Sequence, residues 1–376
     1  MNAVLRGITW EHSRGYECMV RSAERYRAET GVDVRWEYRS LQAFADAPVG
    51  HLAADFDLLV IDHPHVPLAA EQGFLARLDG AGFDDELARL SQQSVGRSHQ
   101  SYAHEGHQYG LASDAAAQVS ACRPDLIGEA PESWDAVLDL AREGRVLWPA
   151  KPIDAFSSLV TIAGGNGADI NPAPGRFLAE EDALAALDYM HRLAALVPES
   201  CFTANPIDVA ELLSTSDEWC YSPLLFGYTN YSRAGFRPGR IKYTDIPTGP
   251  GGIRRSLLGG AGVAVSATAT DLGAARAFAF WVASAEVQAG VYYDAGGQPG
   301  NAVAWDDERL NTETLAFFSG TRATLDSAYV RPRTAGYIEF QDTAAPWVTQ
   351  TLTGEITDSE LITRLDTAAA QLLVEP

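Results

Sequence analysis

The first sixty residues alternate between two hydrophobic periods. Residues 32–38 place Val, Val, Trp and Tyr at every second position between charged residues, which predicts a half-buried strand. Residues 16–29 space their apolar side chains by three and four, which predicts a helix that ends at Gly31. Residues 57–61 are a short apolar run, typical of a buried parallel strand, and a loop follows at residues 62–65. The opening therefore predicts strand, helix, strand, short helix and strand, as in βαβ units.

The rest of the chain continues this mixture of helices and strands. Helical spacing of apolar residues recurs in four segments, which are residues 134–141, 180–197, 271–284 and 358–373. Short strands are predicted at residues 146–148 and, interrupted by glycines, at residues 257–265. No internal repeat is visible. The predicted fold class is α/β.

Length and charge narrow the kind of protein. A chain of 376 residues suggests two domains, and 46% apolar with 21% charged residues is a globular composition. Lys plus Arg number 28 and Asp plus Glu 50, so the formal net charge is 28 − 50 = −22. So acidic a surface repels phosphate backbones and anionic lipids, and no run reaches the ~20 apolar residues of a membrane span. We therefore expect neither a nucleic-acid partner nor membrane insertion.

The cysteines are too few and too scattered for a disulfide scaffold or a zinc cluster. They are Cys18, Cys122, Cys201 and Cys220. Small buried thiols are the favoured interpretation, and a bridge between Cys201 and Cys220 is the alternative that the separation leaves open.

The N-terminus shows no export signal. Met1–Arg6 leads directly into a strand-like segment, without a basic start, an apolar stretch or a small-residue cleavage site. Two interpretations stay open. Either Met1 is the native start and the protein is cytoplasmic, or an export signal has been removed.

Short motifs in a fixed order carry a resemblance to one family. They are Glu29–Val34 ("ETGI-V"), Phe56–Asp62 with Ala69–Asp79 ("pDvv … a..G.l.pLd"), Glu105–Leu111 ("dGk.YglP"), Pro131–Trp134 ("P.TW"), Pro247–Gly252, Gly296–Pro299 and Arg331–Arg333. Over almost its full length the chain resembles the family 1 extracellular solute-binding proteins, the maltose-binding type of ABC-importer receptor. His107 and Ala112 stand where that family commonly has Lys and Pro.

This resemblance implies a two-lobe periplasmic-binding-protein type II fold. Strand crossovers would act as a hinge near residues 110–114, near residues 259–263 and soon after Trp305, with a ligand cleft between the lobes. The implied lobes are discontinuous: residues 1–111 with 263–306 for the N-terminal lobe, and residues 112–262 with 307–376 for the C-terminal lobe.

Polar residues that follow the predicted strands of the N-terminal lobe are the first ligand-binding candidates. Ligands of open α/β sheets sit at the carboxyl ends of strands, where loops carry the polar groups. These candidates are Trp10, Glu11, His12 and Arg14 after the first strand, Asp62 and His63 after the third, and Asp114 and Gly260 at the crossovers. Arg14 either binds an anionic ligand or pairs with Glu11 and Asp62, and the overall acidity favours pairing.

A sugar site also needs aromatic platforms beside its hydrogen-bonding groups. Residues 219–231 are rich in Trp, Tyr and Phe. By the resemblance, Phe156, Trp219 or Tyr221, and Tyr337 occupy the aromatic positions of the second lobe. For each of these rings, packing in the core is the alternative.

Other chemistries find little support. The glycines at 259–262 precede a strand-like segment, whereas a dinucleotide loop must open a helix. They indicate instead a crossover at which backbone N–H groups can approach the ligand. The motifs His63-x-His65 and His104-x-x-His107 lie in separate segments. We expect no metal and no cofactor.

The predicted function is a solute-binding protein for an ABC-type importer. A monomer would capture a small polar ligand, a carbohydrate or sugar derivative, and deliver it to the permease subunits in the periplasm or at the cell surface. One alternative is a cytoplasmic solute sensor. The other is an enzyme with Glu11, His12, Asp62 and His63 as acid and base, although no catalytic motif supports it.

Overall fold

The computed structural model describes residues 4–40 and 49–374. Met1, for which the sequence analysis left two interpretations open, lies outside these ranges. The strands are β1 (Val4–Trp10), β2 (Asp33–Arg39), β3 (Leu58–Ile61), β4 (Ala103–His104), β5 (His107–Gln108), β6 (Gly110–Ala112), β7 (Ala116–Cys122), β8 (Tyr221–Phe226), β9 (Lys242–Thr244), β10 (Leu258–Gly259) and β11 (Gly262–Val265).

The helices, in chain order, are α1 (Glu17–Thr30), α2 (Val49–Asp55), α3 (Val66–Glu71), α4 (Asp84–Gln92), α5 (Pro124–Ile127), α6 (Trp134–Ala141), α7 (Pro152–Gly165), α8 (Glu180–Ala194), α9 (Pro206–Thr215), α10 (Leu272–Ala283), α11 (Ala285–Val287), α12 (Ala302–Trp305), α13 (Glu308–Glu313), α14 (Phe317–Gly320), α15 (Arg322–Asp326), α16 (Tyr337–Leu352) and α17 (Asp358–Leu372).

The described chain forms two compact units. Unit 1 consists of the residues up to Ala115, together with Tyr228–Asn230 and Gly259–Asn311, and unit 2 consists of the remaining residues. Four stretches that the sequence analysis assigns to the second lobe group with unit 1, namely residues 112–115, 228–230, 259–262 and 307–311. The chain therefore makes an additional short excursion into unit 1 after β8.

Unit 1 is built on a five-stranded sheet in the order β2-β1-β3-β11-β6. Strand β1 runs parallel to β2 and β3, as the βαβ pattern predicts, and β11 runs antiparallel to β3 and β6. Helices α1 and α10 pack on one face of the sheet, and α2 and α3 on the other. Because both faces are covered, all four residues of β3 are buried, which explains its continuous apolar run.

Helix α1 matches its predicted boundary. Gly31 closes it with φ 77°, a left-handed conformation that glycine adopts without strain. The neighbouring strand β2 departs from the prediction at one position, because Tyr38 is 51% exposed. Strand β2 is an edge strand, so the last part of its apolar stripe lies outside the core.

Unit 2 carries a smaller sheet, in which β10, β7 and β8 are neighbours and β9 pairs with β7. Helix α7 is buried along almost its whole length and packs against α16. The predicted strand at residues 146–148 is only a single parallel bridge from Val146 to Tyr221. Helix α8 ends at Ala194, three residues before the predicted end, and Leu184 on it is 41% exposed.

The four cysteines all lie among the described residues, and each is a buried free thiol. Burial raises the pKa of the Cys201 and Cys220 thiols, so both are held in the protonated form. The structure thus favours the small-hydrophobe interpretation of these residues over the bridge between Cys201 and Cys220.

Candidate functional site

One row of residues crosses the sheet of unit 1 where β1 and β3 end. Trp10 pairs with Arg39 on β2, and Ile61 pairs with Gly262 on β11. Gly262 in turn pairs with Ala112 on β6. Every candidate of the N-terminal lobe lies in this row or within four residues of it along the chain. The register therefore places these candidates at one edge of the sheet.

Three polar candidates are accessible at this edge. Glu11 is exposed, and His12 is half-buried. Asp62 has a quarter of its side chain exposed, and its carboxylate accepts a hydrogen bond from the backbone N–H of His63 at 2.8 Å. These groups offer carboxylate oxygens and an imidazole to a polar ligand.

His63 is not accessible at the edge, contrary to the sequence analysis. It begins a 3-10 turn and is 1% exposed. Its Nδ1 lies 3.2 Å from the Asp62 carboxylate, and its ring meets that of Tyr102 edge-on at a centroid distance of 6.2 Å. The short turn after β3 directs the imidazole into the interior of unit 1. His63 therefore contacts the Asp62 carboxylate instead of lying accessible at the edge.

Trp10 is also part of the core. It is 5% exposed, and its indole covers Gly15 so closely that a Cβ built there would lie 2.4 Å from the ring. The prediction that Trp10 faces a ligand is therefore wrong for its side chain. The absence of a Cβ at Gly15 is what lets the loop after β1 fold over the ring.

Arg14 pairs with Asp114, whereas the sequence analysis expected pairing with Glu11 and Asp62. Its Nε donates to Oδ2 at 2.6 Å and its Nη2 donates to Oδ1 at 2.5 Å, a bidentate pair. Arg14 is 4% exposed and Asp114 1%. The hundred residues between them hid this partnership from any local pattern.

The surroundings of the pair act on both groups. Burial opposes the charge of Arg14, but the attraction and hydrogen bonds of Asp114 outweigh it and raise the pKa of Arg14 above its ordinary value. Burial raises the pKa of Asp114, and the positive charge of Arg14 opposes that shift. The guanidinium is therefore charged, with its counter-ion built into the same unit.

Tyr228 is a site residue that the sequence analysis did not select. The Arg14 Cζ lies 4.3 Å from the centroid of its ring, and the ring of His12 meets it edge-on at 5.3 Å. The backbone N–H of Arg14 donates to Nδ1 of His12 at 3.1 Å. The sequence signal for this position was its place in the aromatic-rich segment 219–231, directly after Gly227.

Gly260 lies where two backbone segments of unit 1 meet. Its φ is 108°, and a Cβ would lie 2.4 Å from the carbonyl oxygen of Asp114. The neighbouring Ala261 exchanges backbone hydrogen bonds with Asp114 at 2.9 and 3.2 Å. The glycines lead into strand β11, and at Gly260 the close approach is to the backbone of Asp114. The approach of backbone N–H groups to a ligand stays a prediction.

The predicted aromatic platforms of the second lobe are core residues in unit 2. Phe156 is completely buried, with the rings of Phe177 and Phe340 at 5.6 and 6.1 Å. Tyr221 is completely buried as well, and its hydroxyl lies 2.8 Å from that of Ser120. For these two positions the alternative of core packing is correct.

The other two aromatic candidates differ in position. Tyr337 begins α16 and is 1% exposed, 6.3 Å from the ring of Phe340. Trp219 is half-buried and precedes β8. The chain enters unit 1 after Gly227, at the other end of that strand. Trp219 therefore lies at the end of β8 remote from this crossing.

Two kinds of feature are absent from the described ranges. No group of three His, Cys, Asp or Glu side chains there is arranged to hold a metal ion. Within residues 4–40 and 49–374, no helix combines the length and apolar character needed to cross a membrane.

The same fold occurs in solved structures of sugar- and polyol-bound proteins. Maltose-bound MalE3 of T. maritima superposes with a TM-score of 0.86 at 19% identity, over 99% of this chain and 100% of that one. An ABC-transporter solute-binding protein from Agrobacterium radiobacter K84 in complex with ribitol gives 0.83 at 18% identity, over 98% of each chain. One from Thermotoga lettingae TMO, bound with α-D-tagatose, gives 0.82 at 16%, over 99% and 100%.

These similarities define an α/β fold of the periplasmic-binding-protein type II class, as the sequence analysis predicted. No curated protein matches the chain. The sequence pattern of the bacterial extracellular solute-binding proteins matches residues 21–317, and the chain belongs to that family.

Proposed function

We propose that this protein is a sugar or polyol receptor that delivers its ligand to an ABC-type importer. One observation carries the proposal: Glu11, His12 and Asp62 are accessible at a single edge of the unit 1 sheet, in a fold whose similar structures hold maltose, ribitol and α-D-tagatose. Carboxylates accept hydrogen bonds from hydroxyls. Because Nδ1 of His12 accepts from the backbone N–H of Arg14, the Nε2–H of the neutral ring can donate to a ligand.

The charges favour a neutral, hydroxyl-rich ligand over an anionic one. The chain carries a net charge of −22, and the positive charge of Arg14 is paired with Asp114 inside unit 1. Glu11 and Asp62 repel a ligand carboxylate or phosphate. A sugar or polyol satisfies both carboxylates without placing a like charge beside them.

The proposed setting follows from the family. An extracellular solute-binding protein acts in the periplasm or at the cell surface, as a monomer that meets the membrane subunits of a permease. A cytoplasmic sensor of the same solute is the alternative. The match to binding proteins favours a receptor over an enzyme.

The test is a binding experiment with a defined panel. Isothermal titration with maltose, D-tagatose, ribitol and D-glucuronate should give saturable binding of a neutral member, and mass spectrometry should recover that ligand unchanged. Conversion to a product would establish an enzyme instead, and no binding across a wider sugar panel would reject the receptor.

A matched pair of variants tests the edge itself. Glu11→Gln should weaken binding about 10-fold or more, because a hydrogen bond to a charged group contributes about 1.5–3 kcal/mol. Glu181→Gln alters an exposed carboxylate on α8 in unit 2 and should leave the dissociation constant unchanged. Equal affinities for both variants would exclude Glu11 from the site.

A further inference from the structure

The ion pair between Arg14 and Asp114 is more enclosed than a ligand-binding pair needs to be. Both oxygens of Asp114 accept hydrogen bonds from the Arg14 guanidinium, and both residues are at least 96% buried. A pair so enclosed has its charges cancelled within unit 1. Arg14 and Asp114 are therefore ion-pair partners of each other in the first place, rather than ligand-binding groups.

Arg14 contacts two segments of unit 1 that are distant from it in sequence. Its side chain reaches Asp114 beyond β6, and the face of its guanidinium lies over Tyr228. Its backbone N–H donates to the His12 ring, and its backbone carbonyl accepts a hydrogen bond from the Cys18 thiol at 3.0 Å. One residue thus ties the loop after β1 to two segments that are distant in sequence.

A second side chain fixes the same loop independently. The Asn230 Nδ2 donates to the Ser13 hydroxyl and to the Gly296 carbonyl, both at 3.2 Å. Asn230 is 2% exposed. Tyr228 is therefore fixed by the Arg14 guanidinium over its ring and by Asn230, two residues further along the chain. The rings of Tyr228 and His12 meet at an angle of 74°.

We propose that Arg14, locked by Asp114, is a positioning residue that orients the His12 and Tyr228 side chains and makes unit 1 select uncharged over anionic sugars. The selection follows because the one guanidinium in this loop already has a built-in carboxylate. The inference rests on the proposed sugar-binding function, but the geometry of the pair can be tested without a sugar.

Removal of the carboxylate should reverse the preference. In Asp114→Ala the guanidinium loses this carboxylate, and the space left by the side chain suits a small carboxylate. Affinity for the neutral sugars should fall, and the preference for D-glucose over D-glucuronate, and for D-galactose over D-galacturonate, should decrease about 10-fold or more. An unchanged preference would overturn the proposed selection.

Formate provides the sugar-independent measurement. Sodium formate should raise the melting temperature of Asp114→Ala more than an equal concentration of sodium chloride does. The two salts should change the melting temperature of the wild-type protein equally. Equal effects of the two salts on the variant would overturn the positioning role. If wild-type protein bound none of the sugars, the proposed function would fail, while the formate result would still decide the role of the pair.

Two further variants keep the test interpretable. Asp114→Asn retains the shape of the side chain, removes its charge and replaces one of the two accepting oxygens by an NH2 donor. It should show the same loss of preference if Asp114→Ala does not fold. Arg14→Lys keeps a positive charge beside Asp114 but lacks the bidentate fork and the flat face. It should weaken sugar binding while the preference for neutral ligands is retained; loss of that preference would contradict charge cancellation as its cause.

Discussion

The side-chain amide of Gln298 donates a hydrogen bond to the carbonyl of Ala115 at 2.8 Å. Its oxygen accepts one from the backbone N–H of Thr229 at 3.0 Å, and the side chain is completely buried. Gln298 thus joins, within unit 1, two segments at which the chain leaves for unit 2. A single side chain satisfies the backbone groups that no strand pairs there.

Gln298→Ala should lower the free energy of unfolding by about 2–4 kcal/mol, because it leaves a buried N–H and a buried carbonyl without their partner. Gln100→Ala removes an exposed amide and should change stability by less than about 0.5 kcal/mol. Urea unfolding of the two variants measures the difference. Similar values would mean that water replaces the amide at these backbone groups.

Gly260→Ala should be strongly destabilising, by about 3 kcal/mol or more, since the new Cβ would collide with the Asp114 carbonyl at a φ of 108°. Gly251 provides the control. Its φ is 72° and nothing lies within 4 Å of its Cβ position, so Gly251→Ala should cost only about 1 kcal/mol. Thermal unfolding should rank the variants in this order, and a tolerated Gly260→Ala would contradict the close approach.

Asp154, in the first turn of α7, should make the protein less stable as the pH rises. Burial raises its pKa from 3.8 to about 8, although Lys151 opposes the shift. Between these values the folded protein keeps a proton that the unfolded chain releases, so stability falls from pH 4 to pH 8. Asp154→Asn, a neutral isostere, should raise the free energy of unfolding at pH 8 by about 2–4 kcal/mol.

The same variant should have little effect at pH 4, where the carboxyl is protonated in the folded state and partly so in the unfolded one. Asp182→Asn on α8, whose carboxyl is only partly buried, serves as the control. A gain from Asp154→Asn that is equal at both pH values would exclude titration of Asp154 as its cause.

His99 should produce the opposite dependence. Burial lowers its pKa from 6.5 to about 4, and its surroundings include the uncharged Gln93, Ser94 and Asn301. As the pH falls from 6.5 towards 4, the unfolded chain takes up a proton that the folded protein refuses, so stability is lost over this window. His99→Gln should flatten the acid limb by about 2–3 kcal/mol between pH 7 and pH 4. An unaltered limb would assign the acid sensitivity to other groups.

Trp219→Ala should leave ligand affinity unchanged, against the expectation from resemblance that this ring stacks on a sugar. The residue lies at the far end of β8 from Gly227. His12→Ala, at the accessible edge, should weaken binding about 5- to 10-fold through the loss of one hydrogen-bonding ring. Titration with the best ligand of the panel compares the affinities of the two variants. Weaker binding by Trp219→Ala would show that this ring belongs to the site.

The local sequence pattern was sufficient to predict features that depend on a single helix or strand. The stop of α1 at Gly31, the buried run of β3 and the apolar face of α10 were all readable, because periodicity and caps act over a few residues. The order of the motifs identified the family for a similar reason: each motif is short and lies intact in the chain. The edge of the unit 1 sheet followed from where its strands end.

What needed the tertiary structure was the direction and partner of each side chain. Arg14 and Asp114, a hundred residues apart, meet only because β1 and β6 end at one edge. Phe156 and Tyr221 have the composition of a sugar platform but point into the core of unit 2. A one-dimensional pattern reports how apolar a position is. Burial and charge pairing depend on neighbours from other elements, and only the assembled fold supplies them.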